Sequence, residues 1–236
     1  MSAWEQTKAI EQYAGEAEIV IPERQEMLSI ISCLATEATS DSPTVVDLGC
    51  GFGDVTAAIL AQRPRANVRM LDFSEEMGKL RRARFKGNPA IKIFTYDLNR
   101  GLPDSLMREK IDTVVSCSVI HYLEPENRQR LYADILRLLP QGAAFLNGDL
   151  FCCDSPLVDR WEFDRRIRWM LPRMEKGLGR KISFEELKKE RLDYRRRMGE
   201  KPGTIWQMHD DLKKAGFRHV DCLWKSQCFG IMAAIK

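Results

Sequence analysis

Three glycines at alternate positions, Gly49, Gly51 and Gly53, follow the apolar run Thr44-Val45-Val46-Asp47-Leu48 and precede an amphipathic stretch, residues 54–63. Lacking Cβ, glycines let a turn enter φ > 0 and lie against a ligand. The helix expected next aims unpaired N–H groups at the same spot, which suits a nucleotide-like group. The dinucleotide fingerprint G-x-G-x-x-G would need glycine at position 54, where this chain has Asp54; a pyrophosphate is therefore disfavoured. One unit later Asp72 ends a second apolar run, placed to accept both hydroxyls of a ribose. Asp97 closes a third. Asp47 lies inside the first run, and a buried carboxylate needs partners to stay charged. The fourth run ends in Val115-Ser116-Cys117-Ser118-Val119-Ile120-His121-Tyr122-Leu123. Its polar positions are Ser116, Ser118 and His121, and the imidazole of His121 suits a general base near neutral pH.

Strands are expected at residues 44–48, 67–73, 91–96, 111–117 and 142–151, with helices between them. That alternation is the pattern of an α/β fold with a mostly parallel sheet and crossover helices. Ser74 is placed to cap a basic helix through residue 86, and Pro125 to open a helix running to residue 139. Residues 217–236 read differently, as an antiparallel strand pair. The divisions expected are N-terminal helices at 1–40, broken near Ile21-Pro22, an α/β core at 41–151, a helical insertion at 152–210, and a helix end plus strand pair at 211–236.

The insertion breaks the alternation. It carries dense charge and aromatic groups, and two or three helices there would lie over the strand ends where open α/β sheets bind ligands. We read it as a lid and acceptor pocket. Trp169, Tyr194, Arg195 and Arg197 are its candidates, with Tyr122 beside them and Tyr13 and Arg24 closing from the N-terminal side. Guanidinium forks hold carboxylates or phosphates bidentately, so the acceptor expected is small and anionic. The competing reading is a solvated helical face whose aromatics are core.

Lys+Arg 37 against Asp+Glu 34 leaves +3 over 236 residues, too balanced to indicate a nucleic-acid binder. Seven cysteines, odd in number and without a C-x-x-C pair, read as reduced thiols with no metal site. No apolar run reaches the length of a membrane span, and the start lacks the form of a signal peptide. A cytoplasmic enzyme is the expectation. Its partners are a small-molecule acceptor and, in a homodimer, a second copy, with neither membrane nor nucleic acid as direct substrate.

The string D-x-G-x-G-x-G from Asp47 to Gly53 resembles the first motif of class I S-adenosylmethionine-dependent methyltransferases. The resemblance implies a Rossmann-like, mostly parallel seven-stranded sheet closed by an antiparallel pair. It implies S-adenosyl-L-methionine as cofactor and S-adenosyl-L-homocysteine as product. Asp47 would order the glycine turn and approach the methionine amino group; Asp72 would take the ribose and Asp97 the adenine amino group. Phe73 and Leu98 would sandwich the adenine, and Gly49, Cys50, Gly51, Gly53, Met77, Ser116 and Cys117 would complete the cofactor-binding set. His121 is the candidate catalytic base. The strand end lacks the N-P-P-Y or D-P-P-Y run that holds a flipped base, which disfavours a nucleobase target.

A second resemblance spans nearly the whole chain. Ile21-Pro22, Asp47-Leu48-Gly49-Cys50, His121 to Pro125 with Arg128, Lys214 to Phe217, and the ending from Leu223 look like the carboxy-S-adenosylmethionine synthases of tRNA wobble-uridine modification. Arg24 stands where that branch has a tyrosine. Gly51-Phe52-Gly53 replaces its Ser-Leu-Gly, and its carboxylate-gripping arginine has no secure counterpart among Arg191 to Arg197. The reading is methyl transfer to a small, anionic acceptor by in-line SN2 attack. Its rivals are the carboxylated-cofactor synthase and a non-catalytic cofactor-binding scaffold.

Overall fold

The structure is a computed structural model that describes residues 15–37 and 40–236. Its strands are β1 (Thr44–Leu48), β2 (Asn67–Asp72), β3 (Ile91–Thr95), β4 (Thr113–Cys117), β5 (Ala144–Leu150), β6 (His219–Ser226) and β7 (Phe229–Ile235). They form one sheet in the order β3-β2-β1-β4-β5-β7-β6. β1 to β5 are parallel, and β7 lies antiparallel between β5 and β6. The helices are α1 (Arg24–Glu37), α2 (Asp54–Gln62), α3 (Glu75–Arg84), α4 (Pro125–Leu138), α5 (Pro156–Leu178), α6 (Phe184–Met198) and α7 (Ile205–Ala215). The mostly parallel sheet with an antiparallel C-terminal pair is the one the sequence pattern predicts. Strand order reverses between β1 and β4, which makes the carboxyl ends of these strands the natural ligand crevice.

Local chemistry sets the element ends. β2 stops at Asp72 because Asp72 Oδ1 accepts the Ser74 N–H at 2.8 Å and turns the chain. Ser74 then accepts the Met77 N–H at 3.2 Å and caps α3. β4 begins later than residue 111: the Asp112 carboxylate takes the Thr44 N–H at 2.8 Å, and Ile111 is buried in the core. Pro125 opens α4, where its missing N–H costs no helix bond. Residues 15–20 are helical, and the chain breaks at 21–23, with Glu23 at φ 50°, before α1 begins.

The insertion consists of α5 and α6 and ends before residue 210. Thr204 accepts the Gln207 N–H at 3.0 Å while Gln207 accepts the Thr204 N–H at 2.8 Å, a capping box that starts α7 at residue 205. That helix runs across the 210/211 division, whose second part opens on its end. Two apolar clusters sandwich the sheet. One joins α1, α5 and α6 through Met27, Ile31, Ile167, Met170 and Leu187; the other joins α4 and α7 through Leu131, Ile135, Met208 and Leu212.

Candidate active site

The glycine turn is held from three directions. Cys50 N–H donates to Leu71 C=O at 3.0 Å, and Gly51 N–H donates to Asp72 Oδ2 at 3.0 Å. Gly49 sits at φ 60°, and a Cβ there would lie 2.4 Å from Val119 methyls. Beside this turn opens a cavity of about 350 Å³ at the carboxyl ends of β1 to β4. Asp47, Gly49, Cys50, Gly51, Asp72, Phe73, Met77, Asp97, Leu98 and Cys117 all line it. Phe73 is 38% exposed and Leu98 is buried, two apolar side chains of the lining able to meet a flat ring. Asp97 is exposed and caps a short turn by accepting the Asn99 N–H at 2.9 Å.

Two residues of the expected cofactor set lie elsewhere. Gly53 is behind the turn as the N-cap of α2, where a Cβ would meet the Phe85 ring at 2.5 Å. Ser116 is fully buried between Leu48 and Asn147, and strand alternation sends its side chain to the face opposite Cys117. Ser118, at φ 59°, takes the place in the cavity wall instead.

Asp47 carries the clearest electrostatic signature. Burial pushes its carboxyl up to about 7, although Thr56 Oγ1 donates to its Oδ2 at 2.6 Å. Its Oδ1 is buried and has no hydrogen-bond partner among the described residues. Burial also raises the thiols of Cys50 and of Cys117, the latter to about 12, so both remain protonated walls.

Arg24, expected at the acceptor, belongs to this first cavity: it donates to Asp54 at 2.6 Å and Glu18 at 2.7 Å. A second cavity of about 40 Å³ shares Ser118 and Tyr122 with the first and is lined by His121, Phe163, Arg166, Arg191, Tyr194, Arg195 and Glu200. Two of its guanidiniums are answered internally: Arg191 pairs with Glu16 at 2.8 Å and Arg195 with Glu200 at 3.3 Å. Arg166 donates to Val20 C=O at 3.0 Å and stacks 4.9 Å from Phe229, without a carboxylate partner among the described residues. Trp169 and Arg197 line neither cavity. Trp169 packs on the core under Arg173, and Arg197 stacks on Tyr194. Tyr13 lies outside the described residues.

His121 is buried and does not line the first cavity. Its Nδ1 is bonded to Asp149 Oδ1, and Asp149 also accepts the backbone N–H of His121 at 3.1 Å and of Leu150 at 2.9 Å. Since a carboxylate only accepts, Nδ1 is the donating nitrogen of this pair. Asp149 escaped the sequence reading; the signal was a charged residue at the end of the apolar run of β5. His121 and Asp149 also wall a third cavity of about 500 Å³, bounded by α4, α7 and the loop through Pro202.

Residues 46–145 match the family model for a methyltransferase domain. That match runs from β1 to the start of β5, about two fifths of the chain, and marks this stretch as a methyltransferase domain. The chain is 23% identical over 224 residues to a carboxy-S-adenosyl-L-methionine synthase of Erwinia tasmaniensis, covering 92% of this chain and 84% of that protein. An O-methyltransferase family protein from Burkholderia thailandensis matches with a TM-score of 0.63 at 14% identity, over 99% of this chain and 61% of that one. Human N-acetylserotonin methyltransferase in complex with S-adenosylmethionine matches with a TM-score of 0.57 at 18% identity, over 100% and 60%. The chain thus spans about three fifths of those two structures, and the likeness is one of fold. S-adenosyl-L-methionine is the molecule held by that N-acetylserotonin methyltransferase. The first cavity suits that molecule: the bare glycine turn admits close backbone approach, and the orphaned Asp47 Oδ1 awaits a donor. No described helix is long and apolar enough to cross a membrane.

Proposed function

We propose that the chain transfers the methyl group to a small-molecule acceptor seated beyond Ser118 and Tyr122, the two residues common to the first and second cavities. That shared wall is the observation on which the reading rests. When bound, S-adenosylmethionine supplies a methyl group already activated on a sulfonium, for in-line SN2 displacement, so positioning supplies most of the rate. Asp47, with its free Oδ1, is assigned to the cofactor's amino group, Asp72 to the ribose hydroxyls, and Asp97 to the adenine edge. Phe73 and Leu98 flank the ring.

His121 is assigned as the base for an acceptor that must lose a proton, with Asp149 holding its tautomer. An anionic group on the acceptor would be met by Arg166, because the guanidiniums of Arg191 and Arg195 already face glutamates. α5 and α6 are assigned as the lid: Met198 of α6 lines the first cavity and both helices wall the second. A location in the cytoplasm and a homodimer remain part of this reading.

The relatives that synthesise carboxy-S-adenosyl-L-methionine, similar across 92% of this chain, support a second reading in which the bound cofactor is carboxylated. Mass spectrometry of the small molecule released from purified protein separates the two. S-adenosylmethionine or S-adenosylhomocysteine supports methyl transfer; the carboxylated cofactor overturns it in favour of the synthase.

A further inference from the structure

α3 has the composition of a solvated helix, with Lys79, Arg81, Arg82 and Arg84 among ten residues. Lys79 and Arg82 do stay exposed, paired with Glu76 and Glu75. Arg81 is instead fully buried. A guanidinium withdrawn from water is tolerated only where its surroundings answer it, and two of the three residues answering Arg81, Gly51 and Asp72, line the first cavity. Nη1 donates to Gly51 C=O at 2.9 Å and lies 3.6 Å from Asp72 Oδ1. Nη2 reaches Ser74 C=O at 3.4 Å. Gly51 is therefore gripped on both sides, its N–H by Asp72 and its carbonyl by Arg81, while the same two residues face each other.

We propose that Arg81 is a positioning residue for the cofactor. One buried guanidinium fixes the glycine turn relative to Asp72 and supplies the positive charge that lets Asp47 and Asp72 share one dry pocket. The inference rests on assigning the first cavity to S-adenosylmethionine. Asp47 is faced by Thr56 from α2, Cys50 from the turn, Asp72 from β2, Arg81 from α3 and Cys117 from β4. Of these only Arg81 is cationic. Its field lowers the Asp47 carboxyl against the effect of burial, so losing it moves that titration upward from about 7.

The test is calorimetric titration with S-adenosylhomocysteine of the wild type, Arg81→Met and Asp97→Ala, at about pH 7 and about pH 9. Arg81→Met is expected to weaken binding by roughly tenfold or more near pH 7 and by clearly less near pH 9, where Asp47 is ionised in either protein. A folded variant that binds within about twofold of wild type at both values overturns the proposal. So does an equal loss at both, since a merely structural side chain would act without regard to pH. If the Met variant gives no cooperative melt, Arg81→Gln, which keeps a donor for the two carbonyls, is read by the same criteria. Asp97→Ala separates the two levels of the argument. Weakened binding there beside unchanged Arg81 variants sinks this inference alone, whereas no change in any variant removes the cofactor from the cavity and the inference with it.

Discussion

Asp72 Oδ2 accepts the Gly51 N–H at 3.0 Å while its Oδ1 accepts the Ser74 N–H at 2.8 Å. The carboxylate assigned to the ribose is thus also the clasp between the glycine turn and the start of α3. Asp72→Asn keeps the shape but sets an amide N–H against one of these donors. S-adenosylhomocysteine should bind about 2 kcal/mol more weakly or worse, the size of a lost charge-assisted pair. Calorimetric titration reads this directly, and unchanged affinity in a folded variant removes Asp72 from the site.

Asp47 couples binding to stability through its proton. Its carboxyl, at 3.8 in the unfolded chain, is raised to about 7 in the fold by burial. A raised folded value means the stability contribution is complete below about 4 and is lost as pH climbs to about 7, because the fold must then hold an ionised carboxylate that water would solvate better. Asp47→Asn removes the titration and keeps an acceptor for Thr56. Between about pH 4 and about pH 8 the ligand-free variant should gain on the order of 2–4 kcal/mol over wild type, while losing S-adenosylhomocysteine affinity. Denaturant melts across that range decide the matter: a stability difference that does not vary with pH refutes the assignment.

The sheet and the cofactor cavity were legible because their signals are local. Glycines at alternate positions and acids at the ends of apolar runs placed Gly49, Gly51, Asp72 and Asp97 on one cavity wall. Ser116 was misplaced beside Cys117 because adjacent strand residues cannot face the same side. What the sequence concealed were charge pairings made at a distance. Arg191 meets Glu16 across 175 positions, and His121 meets Asp149 across 28. No pattern within α6 tells that Arg191 is already met by Glu16, or within α3 that Arg81, alone of its basic group, turns inward.

The lid proposal predicts a change in motion. α5 and α6 lie outside the sheet's crossover pattern and contribute Met198 to the first cavity and Phe163, Tyr194 and Arg195 to the second. Ligand in the first cavity should therefore reduce their opening, and hydrogen exchange in residues 156–198 should slow when S-adenosylhomocysteine is added. Protection confined to residues 47–55 and 72–98 would leave the insertion as a fixed wall.

The last prediction concerns the tautomer on which proton transfer depends. The Asp149 carboxylate, fixed by the backbone N–H groups of His121 and Leu150, accepts from His121 Nδ1. In a neutral ring that bond places the proton on Nδ1 and leaves Nε2 as the acceptor, the form in which an imidazole can take a proton from a hydroxyl or amine. Nitrogen-15 spectra of histidine-labelled protein should show His121 as the Nδ1–H tautomer in wild type. In Asp149→Asn the amide can turn its N–H toward the ring, and the Nδ1–H population should fall. Once an acceptor is found, methyl transfer in that variant should drop by roughly tenfold to a thousandfold in kcat with little change in cofactor affinity, because the base is present in the wrong form. An Nε2–H signal in the wild type, or full kcat in the variant, removes His121 from the chemistry and leaves catalysis to positioning alone.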